Sequence, residues 1–254
     1  MIRYSALLLA GSRPGGDPFA ARYGAKAKAL IPIGGEPMIL RPLRALLASG
    51  NVEAVRILTQ EPDWIAPVLP DGPGWSVEPS SGTIAETLDA ICKTDHARWP
   101  MLVSTADHAL LDEGMIDQFC AEAEGVDLAI GVVTKSALHK RLPQSRRTWI
   151  GLKRGKYTGA NLFAFGSPRA MKAVELWREV EQDRKKGWRL LLALGWPGLL
   201  GLLRLRSLDQ TLDSMGRKLG LSLRAVRLDD PLAAVDVDKP QDYDLVSAII
   251  EGRA

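Results

Sequence analysis

Three groups of residues have the types and spacing for chemistry. The first is Leu9-Ala10-Gly11-Ser12-Arg13, followed by Gly15-Gly16 and then Lys26-Ala27-Lys28. A glycine loop leaving a strand exposes several backbone N–H groups, and such a concavity binds phosphate oxygens. Arg13 can grip one phosphate with two donors, while Lys28 acts as a mobile point charge. No Gly-Lys-Ser/Thr follows these glycines, so the loop is not a P-loop. Arg13 also stands where the dinucleotide fingerprint requires glycine. The second group is carboxylates: Asp107 in Ser104-Thr105-Ala106-Asp107-His108, and Asp236 with Asp238 in Val235-Asp236-Val237-Asp238-Lys239-Pro240. Mg²⁺ keeps several waters, so one or two carboxylates plus phosphate oxygens suffice to hold it. Each aspartate is equally compatible with a helix cap or turn. Asp236 and Asp238 have the spacing to share one face of a strand, where like charges need a cation or solvent nearby. The third group is Gly82-Thr83, a polar turn that either contacts a base or ribose or simply caps a helix.

Other chemistries find less support. His96, His108 and His139 lack zinc-ligand spacing with each other or with Cys92 and Cys120. His108 is expected at the surface or behind Asp107. The two cysteines lie in apolar-periodic stretches and read as small buried hydrophobes of a reducing compartment. No Gly-X-Ser-X-Gly elbow is present for a serine hydrolase.

The elements that must position these groups alternate. Strands are expected over 3–10, 52–59, 101–105, 127–133 and 157–165, and helices over 37–49, 83–91, 115–124 and 169–186. This order predicts an α/β fold around a mostly parallel central sheet. In such sheets ligands sit beyond the carboxyl ends of the strands, which is where the glycine loop and Asp107 both fall. We expect one domain over 1–254, carrying an apolar helical insertion at about 184–220.

The chain has 254 residues, 46% hydrophobic and 25% charged, with a net charge of +3. That excludes a disordered or disulfide-stapled chain and is too little charge to argue for a nucleic-acid partner. Charge is unevenly placed. Eight Lys/Arg and no acid lie between Lys135 and Lys156, and six with no acid between Arg184 and Arg206. Such runs meet phosphates or an anionic membrane, or are solvated surface. The uncharged stretch Leu190–Leu203 would reach about 21 Å as a helix, short of the roughly 30 Å hydrocarbon core. Two readings of 187–206 stand: an interfacial hairpin on a membrane, or a buried helix pair in the core or at a homodimer interface. The N-terminal apolar run is too short for a signal peptide, so a cytoplasmic protein is expected, including the inner face of the membrane.

Taken together, these pieces resemble the molybdenum-cofactor and sugar-phosphate nucleotidyltransferases. Leu9–Arg13 with Lys28-Ala29-Leu30-Ile31-Pro32-Ile33-Gly34-Gly35-Glu36-Pro37-Met38 is similar to that family's signature. Thr105-Ala106-Asp107 resembles its first metal carboxylate, and Asp236-Val237-Asp238-Lys239-Pro240-Gln241-Asp242 its late acidic element. Thr158-Gly159-Ala160-Asn161 resembles its Gly-Gly-Asn turn near the acceptor. The resemblance implies a Rossmann-like three-layer sandwich, the nucleotide-diphospho-sugar transferase fold. It further implies transfer of an NMP from an NTP, with CTP or GTP favoured, to a phosphorylated small-molecule acceptor, releasing pyrophosphate. Arg13 and Lys28 would be catalytic. Leu9, Ala10, Gly11, Ser12, Gly15, Gly16, Gly82 and Thr83 would bind the nucleotide. Thr158, Gly159 and Asn161 would bind the acceptor, and Asp107, Asp238 and Asp236 would hold Mg²⁺. The long loop between Arg13 and Lys28, the Leu-Ala-Gly-Ser start, Lys239 in place of the usual Thr and the 187–203 segment point away from molybdenum-cofactor modification and toward a less characterised branch of the family. The segment 187–206 points toward head groups for lipid or cell-envelope synthesis. A glycosyltransferase of related fold usually carries Asp-X-Asp after a mid-chain strand, where this chain has Asp107 alone. A non-catalytic nucleotide-binding protein would have no need of Arg13, Lys28, Asp107 and Asp238 together.

Overall fold

A computed structural model describes residues 2–11, 16–80, 82–94, 97–175 and 206–253. The strands are β1 (Tyr4–Leu9), β2 (Pro32–Ile33), β3 (Glu36–Pro37), β4 (Val52–Thr59), β5 (Trp75–Pro79), β6 (Met101–Thr105), β7 (Leu128–Thr134), β8 (Ile150–Leu152), β9 (Gly155–Phe165) and β10 (Leu223–Arg227). The helices are α1 (Pro18–Arg22), α2 (Leu40–Ala48), α3 (Pro62–Ile65), α4 (Ile84–Cys92), α5 (Glu113–Ala123), α6 (Lys135–Arg141), α7 (Leu208–Leu219) and α8 (Pro240–Ile250). One sheet runs β10-β7-β9-β6-β1-β4-β5, with β8 hydrogen-bonded to β9. Every pairing between neighbours in that order is parallel except those of β9, which lies antiparallel between β6 and β7.

Both faces of the sheet are covered, which makes the three-layer α/β arrangement. β1 reads Tyr-Ser-Ala-Leu-Leu-Leu, and all six residues are buried. Tyr4, Ala6 and Leu8 join a core with α2, α5 and α8, whereas Leu7 and Leu9 pack against α4 on the other face. This is the unbroken apolar run that a parallel strand buried on both sides requires. Leu40, Leu43 and Leu46 place one face of α2 in the core, and Phe119 anchors α5 at zero exposure. Each such side chain contributes about 1.5–3 kcal/mol when fully buried. Cys120 is buried as expected, and Cys92 is half-buried.

The expected elements around the site form, with shifts that have local causes. The helix expected from 37 begins at Leu40, because Pro37 pairs with Pro32 across the β2–β3 turn. Gly34 and Gly35 make that turn with φ of 61° and 85°, the left-handed pair that a tight hairpin needs. The sequence pattern does not single out strands β2, β3, β5, β8 and β10 or helices α1, α3, α6 and α8, while α7 falls within the stretch 184–220 expected to be helical. Of the expected helix over 169–186, residues 171–175 are helical, and the remainder beyond 175 lies outside the described residues. The apolar run 187–203 lies outside them too. Among the described residues no helix is long and apolar enough to cross a membrane.

At the edge formed by β10, Asp127 ties three strands together. Its carboxylate accepts from Ser167 Oγ at 2.8 Å, from the Ser222 amide at 2.8 Å and from Ser222 Oγ at 2.9 Å. The Ser222 amide, its burial notwithstanding, holds the Asp127 pKa below the ordinary carboxylate value, with Ser167 and Arg169 adding to the effect.

Candidate active site

The carboxyl ends of β1, β4, β5 and β6 open onto a cleft of about 720 Å³. This is the position in which an open α/β sheet binds ligands. Leu9 and Gly11 form its floor at the end of β1, with Gln60 after β4, Ser80 after β5 and Thr105 at the end of β6. The Ala10 amide donates to the Leu58 carbonyl at 2.8 Å, which fixes where the chain leaves the sheet. A Cβ on Gly11 would meet the Gln60 amide at 3.4 Å. Ser12, Arg13 and Gly15 lie outside the described residues, so the loop is seen only at its ends. At its far end Gly16 has φ of 92°, and Asp17 caps α1 by accepting from Phe19 N at 2.9 Å.

Gly82 and Thr83 line the same cleft. Thr83 is the N-cap of α4 in a capping box with Glu86: Thr83 N donates to Glu86 Oε2 at 2.7 Å, and Glu86 N to Thr83 Oγ1 at 3.3 Å. The capping box takes up the Thr83 backbone N–H and one lone pair of its hydroxyl, which leaves the hydroxyl hydrogen to donate to a ligand. Gly82 has φ of 81°, and a Cβ there would collide with the Glu86 carboxylate.

Lys28 brings the mouth of the cleft together. Its backbone opens a short 3-10 turn, Lys28–Leu30, braced by Met38 N to Ile31 O and Ile39 N to Ala29 O, both at 3.0 Å. Its ammonium donates to Asp107 Oδ2 at 2.5 Å and to Asp238 Oδ1 at 2.5 Å. Burial alone would lower the Lys28 pKa, but Asp107 and Asp238 outweigh it and hold it above the ordinary lysine value. Asp107 Oδ1 accepts from Thr105 Oγ1 at 2.5 Å. Asp238 reaches this point because Val237 N donates to the Asp107 carbonyl at 3.0 Å, docking the C-terminal segment on the end of β6. Tyr243 of α8 then donates to the Pro32 carbonyl at 3.0 Å and packs against Tyr23, with ring centroids 4.2 Å apart.

Asp236 turns elsewhere. Residues 235–238 form no strand, and the two carboxylates take different partners, which corrects the shared strand face expected from their spacing. Asp236 Oδ2 accepts from Asn161 Nδ2 at 3.1 Å, and Arg147 pairs with its Oδ1 and donates to its carbonyl at 2.9 Å. Asn161 has φ of 49°, the one non-glycine residue with positive φ among those described. It sits where the β7–β9 register shifts between Ile130 and Val132, so the bulge aims its amide off the sheet toward Asp236. Thr158 is buried and Gly159 exposed along the same strand.

Arg147 and Asp242 are the members of this cluster that sequence reasoning did not single out as site residues. Arg147 also lies 3.8 Å from Asp242, whose Oδ2 accepts from the Asp238 amide at 3.2 Å. Burial holds the Arg147 pKa below the ordinary arginine value, against the pull of Asp242, Asp238 and Asp107. The signal for Arg147 was present only as one cation among the eight of 135–156. His108 is buried rather than at the surface, and burial pushes its pKa down to about 4 against the pull of Asp107. It is therefore neutral at physiological pH and leaves the charge of Asp107 to Lys28.

Two carboxylate oxygens thus converge on one cation at the mouth of a cleft. A hard, oxygen-seeking ion such as Mg²⁺ fits that donor set when phosphate oxygens complete it. Among the described residues no group of three His, Cys, Asp or Glu could hold a metal unaided.

A family model for the MobA-like NTP transferase domain matches residues 6–194. The chain belongs to that family. As a MobA-like NTP transferase it superposes on a hypothetical transferase from Thermus thermophilus with a TM-score of 0.79 and 31% identity, covering 95% of this chain and 100% of that one. It shares the fold of a 4-diphosphocytidyl-2C-methyl-D-erythritol synthase from Anaerococcus prevotii DSM 20548, at a TM-score of 0.62 and 11% identity over 98% and 99% of the two chains. It also shares that of a CMP:2-keto-3-deoxy-manno-octonic acid synthetase solved with CTP, at 0.61 and 12% over 99% and 100%. No curated protein matches this MobA-like transferase.

Proposed function

We propose that this chain transfers a nucleoside monophosphate from CTP or GTP to a phosphorylated small-molecule acceptor, releasing pyrophosphate. The observation that carries the reading is the Lys28 ammonium between Asp107 and Asp238, at the mouth of the cleft where the parallel strands end. The acceptor phosphate is already an anionic nucleophile, so the protein's task is positioning and charge neutralisation for in-line attack at the α-phosphorus. Asp107 and Asp238 would hold Mg²⁺, which supplies Lewis-acid stabilisation of the α-phosphate when bound. Asp236 is taken up by Arg147 and Asn161 and would serve the acceptor side. Lys28 neutralises charge gathering on the α- and β-phosphates, and Arg13 with the glycine loop the departing pyrophosphate. Each such contact is worth roughly 2–4 kcal/mol of barrier lowering. Gly11, Gly16, Gly82 and Thr83 border the nucleotide, and Thr158, Gly159 and Asn161 the acceptor.

The test is to incubate the protein with Mg²⁺, each of the four NTPs and a pool of sugar and polyol phosphates, and to measure pyrophosphate. Release that depends on acceptor and falls at least 100-fold in Asp107→Ala, with the thermal midpoint kept, supports the reading. A parallel incubation with NDP-sugars that releases nucleoside diphosphate instead assigns a glycosyltransferase, and no turnover in either incubation overturns catalysis. The cations Lys185, Lys186, Arg189, Arg204 and Arg206 bracket an apolar run, the composition of an interfacial segment. That supports a product destined for lipid or envelope head groups, made at a membrane surface.

A further inference from the structure

Asp107 and Asp238 together carry two negative charges, and the Lys28 ammonium sits 2.5 Å from an oxygen of each. A cation entering between these oxygens must displace it or meet its charge. Lys28 is held at its backbone by the 3-10 turn and the Met38 and Ile39 hydrogen bonds. A lysine ammonium sits on a flexible four-carbon stem, and the Lys28 side chain borders the cleft that also holds Gly11 and Thr83. Asp107 is further committed through Oδ1 to Thr105. With no third carboxylate, thiolate or imidazole grouped with them among the described residues, the protein alone offers a divalent ion too few ligands and an occupied position. A nucleotide triphosphate changes both terms. Its oxygens add hard ligands, and its negative charge attracts an ammonium a short swing away.

The geometry points to Lys28 as an internal counter-ion that reserves the Asp107–Asp238 position, so that the carboxylates accept a divalent cation only as an anionic nucleotide draws the ammonium into the cleft. Metal uptake is then ordered after, or together with, nucleotide. Lys28 serves twice, first as the ion between the carboxylates and then as a charge on the phosphates. This rests on the nucleotidyl-transfer reading above.

The test titrates Mn²⁺ into the full chain without nucleotide and follows the free aquo ion by electron paramagnetic resonance. Lys28→Met, which keeps the stem, should bind Mn²⁺ at least tenfold more tightly than wild type. Adding Asp107→Asn to Lys28→Met should abolish the gain. Lys28→Gln is the second variant should Lys28→Met lose its thermal midpoint. If wild type binds Mn²⁺ as tightly as the Lys28 variants, and Asp107→Asn removes that binding, the counter-ion role fails while the carboxylate metal site stands. If neither Lys28 variant gains affinity and Asp107→Asn changes nothing, the counter-ion role and the metal reading fail together.

Discussion

Asp107 follows β6 and Asp127 precedes β7, strands that β9 separates in the sheet, and their partners decide what each carboxylate can do. Asp127 is saturated by Ser167 and by the amide and hydroxyl of Ser222. It joins residues at the ends of β7, β9 and β10 and does not line the cleft, so its work is structural. Asp107 meets Thr105 on one side and the Lys28 ammonium on the other, and lines the cleft. Asp127 carries a pH signature of its own. Its folded pKa lies below the unfolded value of about 3.9. The stabilisation is therefore fully present above that value and is lost as pH falls through the lower folded value. We expect Asp127→Asn to cost about 1–3 kcal/mol at neutral pH and to flatten the acid limb. Urea midpoints from pH 6 down to pH 3 measure this, and parallel acid limbs in the two proteins would rule it out.

At the scale of elements, β9 does what the alternating pattern did not foresee. Tyr157–Phe165 was legible as a strand from its aromatic and branched residues. Its direction was not, because periodicity says nothing of which way a strand runs. Lying antiparallel between β6 and β7, it carries the bulge at Asn161 to the side of the sheet where Asp236 waits. Left-handed backbone strains an alanine but not a glycine. Asn161→Gly is therefore expected to be more stable than Asn161→Ala by about 1 kcal/mol, although both lose the amide. Thermal midpoints of the pair decide it, and equal values would remove the backbone from the argument. The small helices α1 and α3 escape sequence reading because they are five and four residues long, too short for a period to register, and β5, no shorter than the legible β6, lacks its apolar run because it carries Ser76 and Glu78. The Asp236–Asp238 spacing misled for a related reason. Alternation places side chains on one face only where a ladder of hydrogen bonds holds the strand, and this segment has one such bond, from Val237.

Across the whole molecule, the central strands are the most readable feature: β1 and β6 are largely apolar runs followed by Gly11 and Asp107, and β4, though it carries Glu53 and Arg56, closes on the apolar Ile57-Leu58 ahead of Thr59 and Gln60. The meeting of Lys28, Asp107 and Asp238 was reachable only through order and resemblance, because no local rule brings position 28 to position 238. The apolar run 187–203 belongs to this scale as well. We expect the chain to float with anionic vesicles at low salt, to detach at high salt as screening sets in, and to lose flotation when 187–203 is deleted. Flotation unchanged by the deletion would assign that run to the core or to a second copy of the chain. The docking of Val237 on the Asp107 carbonyl has a consequence for biogenesis. Lys28 and Asp238 are 210 positions apart, and synthesis proceeds from the N-terminus at about 5–20 residues per second. A nascent polypeptide leaving the ribosome can order its central strands while residues 236–242 are still in the exit tunnel. Until they emerge, the lysine faces Asp107 alone, so the pair of carboxylates on which the proposed reaction rests is completed last.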